Sequence, residues 1–431
     1  MKISELYTKY TQCGLTICTD TRHIIKDSLF FAIKGDNFDG NEFAEAALSE
    51  GAKFVVTSDK LLCEKSERYI YSLDTLETLQ LLANFHRKKF DIPVIGITGS
   101  NGKTTTKELI GTVLNQKYKC LITEGNLNNH LGVPFTLLKL RDHHEVAIIE
   151  MGANKPNDIE ELCIIAEPTF GIITNIGKAH IEGFGSFEGV LRTKLEMYDY
   201  ITYTDGTVFM NLDQNELVKN APSSSFISYG STGQVQSKII PSDQFLSFEW
   251  KFDTYQSPAI STKMIGSFNI HNYTTAAAVG CYFEVNPEQI TEALINYQPS
   301  NNRSQLEKTE KNDVILDCYN ANPTSMYNAI KSLSEMSSSN KYAIIGDMKE
   351  LGNISQKEHV ILFKYIQKLG IACHYVGDEF KSALKNEEIQ VSENIEEAID
   401  FIGKLKITNN TILIKGSRSI QLEKIFEANI L

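Results

Sequence analysis

The stretch GITGSNGKTTTK, residues 96–107, sets Gly99, Gly102, Lys103 and the threonines 104–106 where a short apolar run ends and a helical pattern begins. Backbone N–H groups of a tight glycine turn, backed by the positive end of a helix, make a cradle for phosphate oxygens. In such a cradle Lys103 reaches the outer phosphates and Thr104 offers its hydroxyl to a divalent cation. Gly99, Ser100, Asn101, Gly102 and Thr105 complete the expected nucleotide contacts. The full phosphate-loop pattern has a further glycine five residues before Gly102. That position is Ile97, so the loop has the shorter T-G-x-x-G-K-T form.

A phosphate loop needs an acid for its cation. HEVAIIEMGAN carries an apolar run ending in Glu150, and FGIITNIG is followed by His180 in KAHIEGFGS. Residues at the carboxyl ends of parallel strands face the crevice where ligands bind. Each also has a plain alternative, a surface glutamate or a satisfied structural histidine. Lys194, in GVLRTKLEMY, reads by itself as a solvated helix lysine.

The elements that must position these residues fall into three segments. Residues 1–88 hold strand candidates in DSLFFAIKG and GAKFVVTS around a helical NEFAEAALSEGA, then a long helical stretch, DTLETLQLLANFHRKKF. Residues 89–298 alternate apolar runs (VIGITG, CLITEG, VAIIEMG, FGIITNI, GTVFMNL) with helical patterns, as in a parallel sheet covered on both faces. A β-rich stretch interrupts them at roughly 205–265. INYQPSNNRSQ, residues 295–305, reads as a second linker. In 299–431 the alternation resumes with DVILDCYNANP, KYAIIGDM, ACHYVGD and NTILIKGS, a second doubly wound unit. The fold class expected is α/β in three domains.

The chain has 431 residues, 42% hydrophobic and 22% charged, with formal net charge −12. This composition excludes a fibrous or largely disordered chain and argues against a general nucleic-acid binder. No apolar run approaches the roughly 18 residues of a membrane span. The N-terminal MKISELYTKYTQCG is a poor secretory signal, and none of the eight cysteines forms a C-x-x-C pair. The expectation is a cytoplasmic protein with reduced thiols.

GITGSNGKTTTKE, TEGNLNNHLGVPFTLL, IIEMGANKPNDIEEL, TNIGKAHIEGFGSFEGV, DCYNANPTSM and GDMKELG, with TDTRHIIKDSLFFAIKGDNFDG before them, together resemble the Mur ligase family. The likeness runs from about residue 18 to LIKGSRS. It implies a small uridine-nucleotide domain, a central phosphate-loop ATPase domain and a C-terminal Rossmann-like ligase domain. It further implies an ATP- and Mg²⁺-dependent ligase, a monomer, that joins D-alanyl-D-alanine to UDP-N-acetylmuramoyl-tripeptide through an acyl phosphate.

By that resemblance Thr104 and Glu150 hold one Mg²⁺, His180 holds a second, and Lys194 is carbamylated into a metal ligand. Asn272, with Asn269 one helical turn earlier, meets the adenine. Arg303 reaches the phosphates on domain closure, and Asp317 binds the ribose. Phe268 stands where relatives often have histidine. Thr21 and Arg22 serve the UDP end; Asn126, Asn128 and Asn129 face the muramoyl-peptide; Asn320 and Asn322 shape the D-alanyl-D-alanine site. The linkers act as hinges, with an open arrangement expected without ligands. Two other readings remain at this stage. One is a different amide ligase of the family; the other is a nucleotide-dependent switch without ligase chemistry.

Overall fold

The computed structural model describes residues 2–35, 37–223, 226–299, 302–338 and 340–431. Three sheets organise it. The first is fully parallel: β1 (Ile17–Cys18), β2 (Leu29–Phe31), β3 (Phe54–Thr57) and β4 (Tyr69–Tyr71), side by side in that order. Helix Thr75–Arg87 follows. Its N-cap is Asp74, whose carboxylate accepts the N–H groups of Leu76 and Glu77.

This helix ties the first segment to the second. Its Leu79, Leu82 and Ala83 share one apolar core with Leu137, Leu162 and Ile149 of the central segment. Arg87 donates to the Ala166 carbonyl, and the Tyr10 hydroxyl to the Leu138 carbonyl.

The central sheet takes β5 (Val94–Thr98), β6 (Cys120–Ile122), β7 (Val146–Glu150), β8 (Phe170–Ile173), β9 (Thr207–Asn211), β10 (Phe226–Gly230), β11 (Val235–Ile240), β12 (Ser247–Phe252), β13 (Tyr255–Gln256) and β14 (Ile260–Ser261). Its main order is β13-β12-β11-β10-β9-β8-β5-β7-β6, with β14 on β12. Pairing is parallel from β6 to β11 and antiparallel beyond, so the β-rich stretch extends the sheet. The period-2 alternation is clear. Ile95, Ile97, Ile148 and Ile172 pack against helices Lys103–Leu114 and Ile270–Tyr282, while Ile149 and Ile173 pack on the other face with helix Phe187–Tyr203. The strand order reverses around β5, which opens a crevice at its carboxyl end.

The third sheet runs β15-β16-β20-β17-β18-β19, from β15 (Gln305–Lys308), β16 (Asp313–Asp317), β17 (Lys341–Gly346), β18 (Ala372–Val376), β19 (Val391–Ser392) and β20 (Thr411–Lys415). All pairs are parallel except β15 on β16. Two strands were not anticipated. β19 is two residues long, and β15 begins inside the stretch read as a linker. β15 is a half-buried polar edge strand whose residues carry no strong alternation. Ser300 and Asn301 of that linker lie outside the described residues.

Candidate active site

β5 delivers the chain into the turn Gly99–Gly102, and Lys103 opens the following helix. Gly99 has φ +139° and Gly102 φ +80°, backbone conformations that favour glycine. A Cβ at Gly99 would sit 2.0 Å from Thr174 Oγ1, and one at Gly102 2.7 Å from Asn272 Oδ1. Both glycines are therefore demanded by backbone angle and by space. The loop is fastened from β8: Asn101 N–H donates to Asn175 Oδ1 (3.1 Å), Thr174 Oγ1 to the Asn101 carbonyl (2.7 Å), and Gly177 N–H to Ser100 Oγ (2.9 Å).

The turn forms the floor of a cleft of about 720 Å³. Around it stand Asn126, Asn128 and Asn129 from the loop after β6, Glu150 from β7, His180, Asn269 and Asn272, then Arg303, Asp317, Asn320 and Asn322 from the third segment. Residues predicted from widely separated motifs thus share one cavity. Lys194, Thr21 and Arg22 do not line it.

Lys103 Nζ folds back onto the Gly99 carbonyl at 2.7 Å. Burial lowers its pKa, Glu150 opposes that shift and Arg303 adds to it. Glu150 is buried, 1% exposed. Its Oε1 accepts from Thr104 Oγ1 (3.2 Å) and Asn128 Nδ2 (2.8 Å), whereas Oε2 has no hydrogen bond and faces Lys107 Nζ at 3.5 Å. Among the described residues no group of three or more His, Cys, Asp and Glu forms a metal cage. A divalent ion here would lean on the Thr104 hydroxyl, the Glu150 carboxylate and phosphate oxygens.

Asn272 Nδ2 donates to Asn269 Oδ1 (2.9 Å), and its own Oδ1 accepts from Thr106 Oγ1 (3.1 Å). The pair thereby braces the phosphate loop. The Arg303 guanidinium stacks 3.5 Å over the Tyr319 ring, and its Nε has no hydrogen-bond partner among the described residues. Asp317 ends β16 as expected and is paired with Lys415 Nζ at 2.7 Å. Asn322 caps helix Pro323–Glu335 and also donates to Asn101 Oδ1 at 2.7 Å, across to the phosphate loop. That contact seats the third segment on the loop.

His180 has left-handed backbone (φ +52°), and its Nδ1 lies 2.6 Å from Glu350 Oε2 of the third segment. That hydrogen bond holds the Glu350 carboxyl below its usual range. Lys194 is buried on helix Phe187–Tyr203 behind the cleft, 5.5 Å over the Phe184 ring. Burial and then the charge of Lys103 push its amine well below the ordinary lysine range. Its reading as a solvated helix lysine is corrected: the helix turns it to the core. Arg22 is exposed and forms a forked pair with Asp20.

Lys107, Tyr319, Glu350 and Lys415 were missed. Lys415 ends the apolar β20, the same signal that marked Glu150 and Asp317. Lys107 lies one helical turn past Lys103. Glu350 and Tyr319 lie inside the quoted motifs GDMKELG and DCYNANPTSM, but neither motif shows which residue each would meet.

Three family models match in order: the Mur ligase family catalytic domain at residues 16–87, the Mur ligase middle domain at 97–280, and the Mur ligase glutamate ligase domain at 302–418. A relative from Bacillus subtilis (strain 168), named UDP-N-acetylmuramoyl-tripeptide–D-alanyl-D-alanine ligase, is 34% identical over 95% of this chain and 92% of its own. The chain belongs to the Mur ligase family. An Escherichia coli (strain K12) relative of the same name is 31% identical over 96% of this Mur ligase and 93% of its own length. Among solved structures, MurF from Acinetobacter baumannii superposes with a TM-score of 0.89 at 31% identity, covering 96% and 93% of the two chains. MurF from Thermotoga maritima in complex with ADP gives 0.86 at 25% identity, covering 96% and 97%.

Proposed function

We propose that this Mur ligase joins D-alanyl-D-alanine to UDP-N-acetylmuramoyl-tripeptide, using ATP, in the cytoplasmic synthesis of peptidoglycan precursor. One observation carries the reading. The phosphate loop, the asparagine loop after β6 and the third segment's Arg303 and Asp317 enclose a single cleft, in a chain whose near full-length relatives bear that name.

The proposed chemistry is mainly positioning and charge neutralisation. Lys103 releases Gly99 and meets the transferred phosphoryl group. The loop amides from Gly99 to Thr105 cradle the phosphates. Asn269 and Asn272 support the adenine side, Asp317 takes the ribose and Arg303 adds a cation to the phosphates. Asn126, Asn128 and Asn129 face the tripeptide carboxylate that accepts the phosphoryl group. Asn320 and Asn322 border the incoming amine. Thr21 and Arg22 serve the uridine nucleotide, outside the cleft. The working division is a UDP-substrate domain at 1–88, an ATP domain at 89–298 and a ligase domain at 299–431, acting as a monomer.

The metal reading rests on chemistry already present. Glu150 Oε1 lies beside the Thr104 hydroxyl, and Oε2, which has no hydrogen bond, is held only by its ion pair with Lys107 at 3.5 Å. Thr104 and Glu150 would hold Mg²⁺, which would supply positive charge to the phosphate oxygens. Lys194 suits carbamylation because burial favours its neutral amine, the form that attacks CO₂: an N–C bond forms, one proton leaves and a carboxylate-like group results. We predict a carbamate resonance from enzyme equilibrated with ¹³C-bicarbonate, absent in Lys194→Ala. A parent spectrum without it removes the carbamate from the scheme.

Phosphate release tests the reaction. It should need ATP, the UDP-tripeptide and D-alanyl-D-alanine together. ATP turnover indifferent to both acceptors would instead favour a nucleotide switch.

A further inference from the structure

The family resemblance implies that His180 holds a metal ion, and the structure gives this residue a partner from the other side of the domain junction. Glu350 Oε2 lies 2.6 Å from His180 Nδ1. The Glu350 backbone carbonyl accepts the Glu182 N–H at 3.1 Å, two residues further on. Gly352 lies against Glu182, where even a Cβ would be only 3.4 Å from the glutamate side chain. The contact is therefore a seated turn, with a side chain aimed at one ring nitrogen.

The turn that carries Glu350 is rigidly built. It leaves β17 through Asp347, fully buried, whose carboxylate accepts the N–H groups of Glu379 and Phe380 and pairs with Lys349. Met348 N–H donates to Nε2 of the buried His359, whose Nδ1 in turn lies 2.8 Å from the Ser355 carbonyl. Glu350 itself has φ +64°. The third segment thus fixes the backbone that carries Glu350, and His180 is the partner that holds its half-exposed carboxylate.

A histidine that binds a metal through one nitrogen usually donates its other N–H to a carboxylate, which fixes tautomer and ring orientation. With Glu350 on Nδ1, Nε2 is the ring nitrogen left to face a metal. We propose that Glu350 is a positioning residue for His180, so that the metal side of the cleft is completed only when the third segment is seated. The inference rests on the reading of His180 as a metal ligand. It explains why an acid far along the chain meets a residue of the nucleotide domain.

The test separates positioning from docking. Lys178–Glu358, at 2.7 Å, is a second ion pair across the same junction and touches no metal-side residue. Binding of a fluorescent ADP analogue is measured with EDTA and across a Mg²⁺ titration, in the parent, Glu350→Ala, Glu350→Gln and Glu358→Gln. Glu350→Ala should raise the half-saturating Mg²⁺ concentration by about 10- to 100-fold, the usual effect of losing such a partner. Metal-free nucleotide affinity should stay within about twofold. Glu350→Gln, whose carbonyl still accepts the Nδ1 proton, should recover most of the Mg²⁺ response, and Glu358→Gln should leave it at the parent value.

The proposal is overturned if Glu350→Ala titrates like the parent, if Glu350→Gln falls as far as Glu350→Ala, or if Glu358→Gln shifts Mg²⁺ equally. A parent whose nucleotide binding ignores Mg²⁺ would sink the metal reading itself. Thermal unfolding of each variant identifies any that fails to fold. Glu350→Gln keeps the shape and backbone demands of the parent residue, so the comparison survives that loss.

Discussion

At the scale of single residues, the arrangement around Glu150 is the most demanding. Both Glu150 and Lys107 are only 2% exposed at the side chain, so neither charge is relieved by solvent. Lys107 Nζ also donates to the Gly125 carbonyl at 3.1 Å, which joins the acid to the asparagine loop. Removing one partner of a buried pair leaves the other uncompensated and costs about 3–5 kcal/mol. Lys107→Met should therefore lower the free energy of unfolding by about 3 kcal/mol in urea titrations. A loss below about 1 kcal/mol would show that water or a rotamer change rescues Glu150. In the third segment the buried Lys415 pairs with the partly exposed Asp317, again at strand ends.

At the scale of elements, β18 shows how a strand can carry a titratable group into a core. Tyr375 joins the cluster on one face. On the other, His374 stacks on Phe401, with centroids 4.2 Å apart, and bonds Ser392 Oγ through Nε2 at 2.9 Å. Burial pushes the His374 imidazole from 6.5 down to about 4. Above pH 6.5 it is neutral whether folded or unfolded, and the full stability is present. Between pH 6.5 and 4 the unfolded chain takes a proton that the fold refuses, so stability falls as pH falls. By pH 4 the loss should be on the order of 2–3 kcal/mol. Urea unfolding at pH 7 and pH 5 should show His374→Gln losing less stability on acidification than the parent. Equal losses would mean that other groups set the acid sensitivity.

At the scale of the whole molecule, the third segment sits on the central one through apolar and polar contacts. Ile265 and Phe245 of the central segment pack into the third segment's core. Asn322–Asn101, Lys178–Glu358 and His180–Glu350 add polar contacts near the cleft. Lys178 is half exposed, so solvent weakens its pull on the buried Glu358. Such a seat can open, and the linker near 299 is where the chain would bend. Glu358→Lys places two lysines face to face. It should enlarge the radius of gyration of the ligand-free protein in small-angle scattering. UDP-tripeptide, Mg²⁺ and a non-hydrolysable ATP analogue should reverse the change. Identical scattering from parent and variant would count against a seat governed by these charges.

The sequence by itself determined the α/β class, the phosphate loop with its two obligatory glycines, and the acids at strand ends, because these depend on local patterns. Apolar runs bounded by turn residues favour buried strands, and a residue at the carboxyl end of a parallel strand faces the crevice. Resemblance then supplied the order of the parts. Tertiary structure decided what lies between distant segments. Lys194 looks like a surface lysine until helix Phe187–Tyr203 turns it to the core, and β15 gains its strand only from β16 beside it. Glu350 and Tyr319 became legible only when 170 and 16 residues of chain, respectively, had folded them back onto His180 and Arg303. Burial and partner choice are properties of the packed molecule, and no local window of sequence contains them.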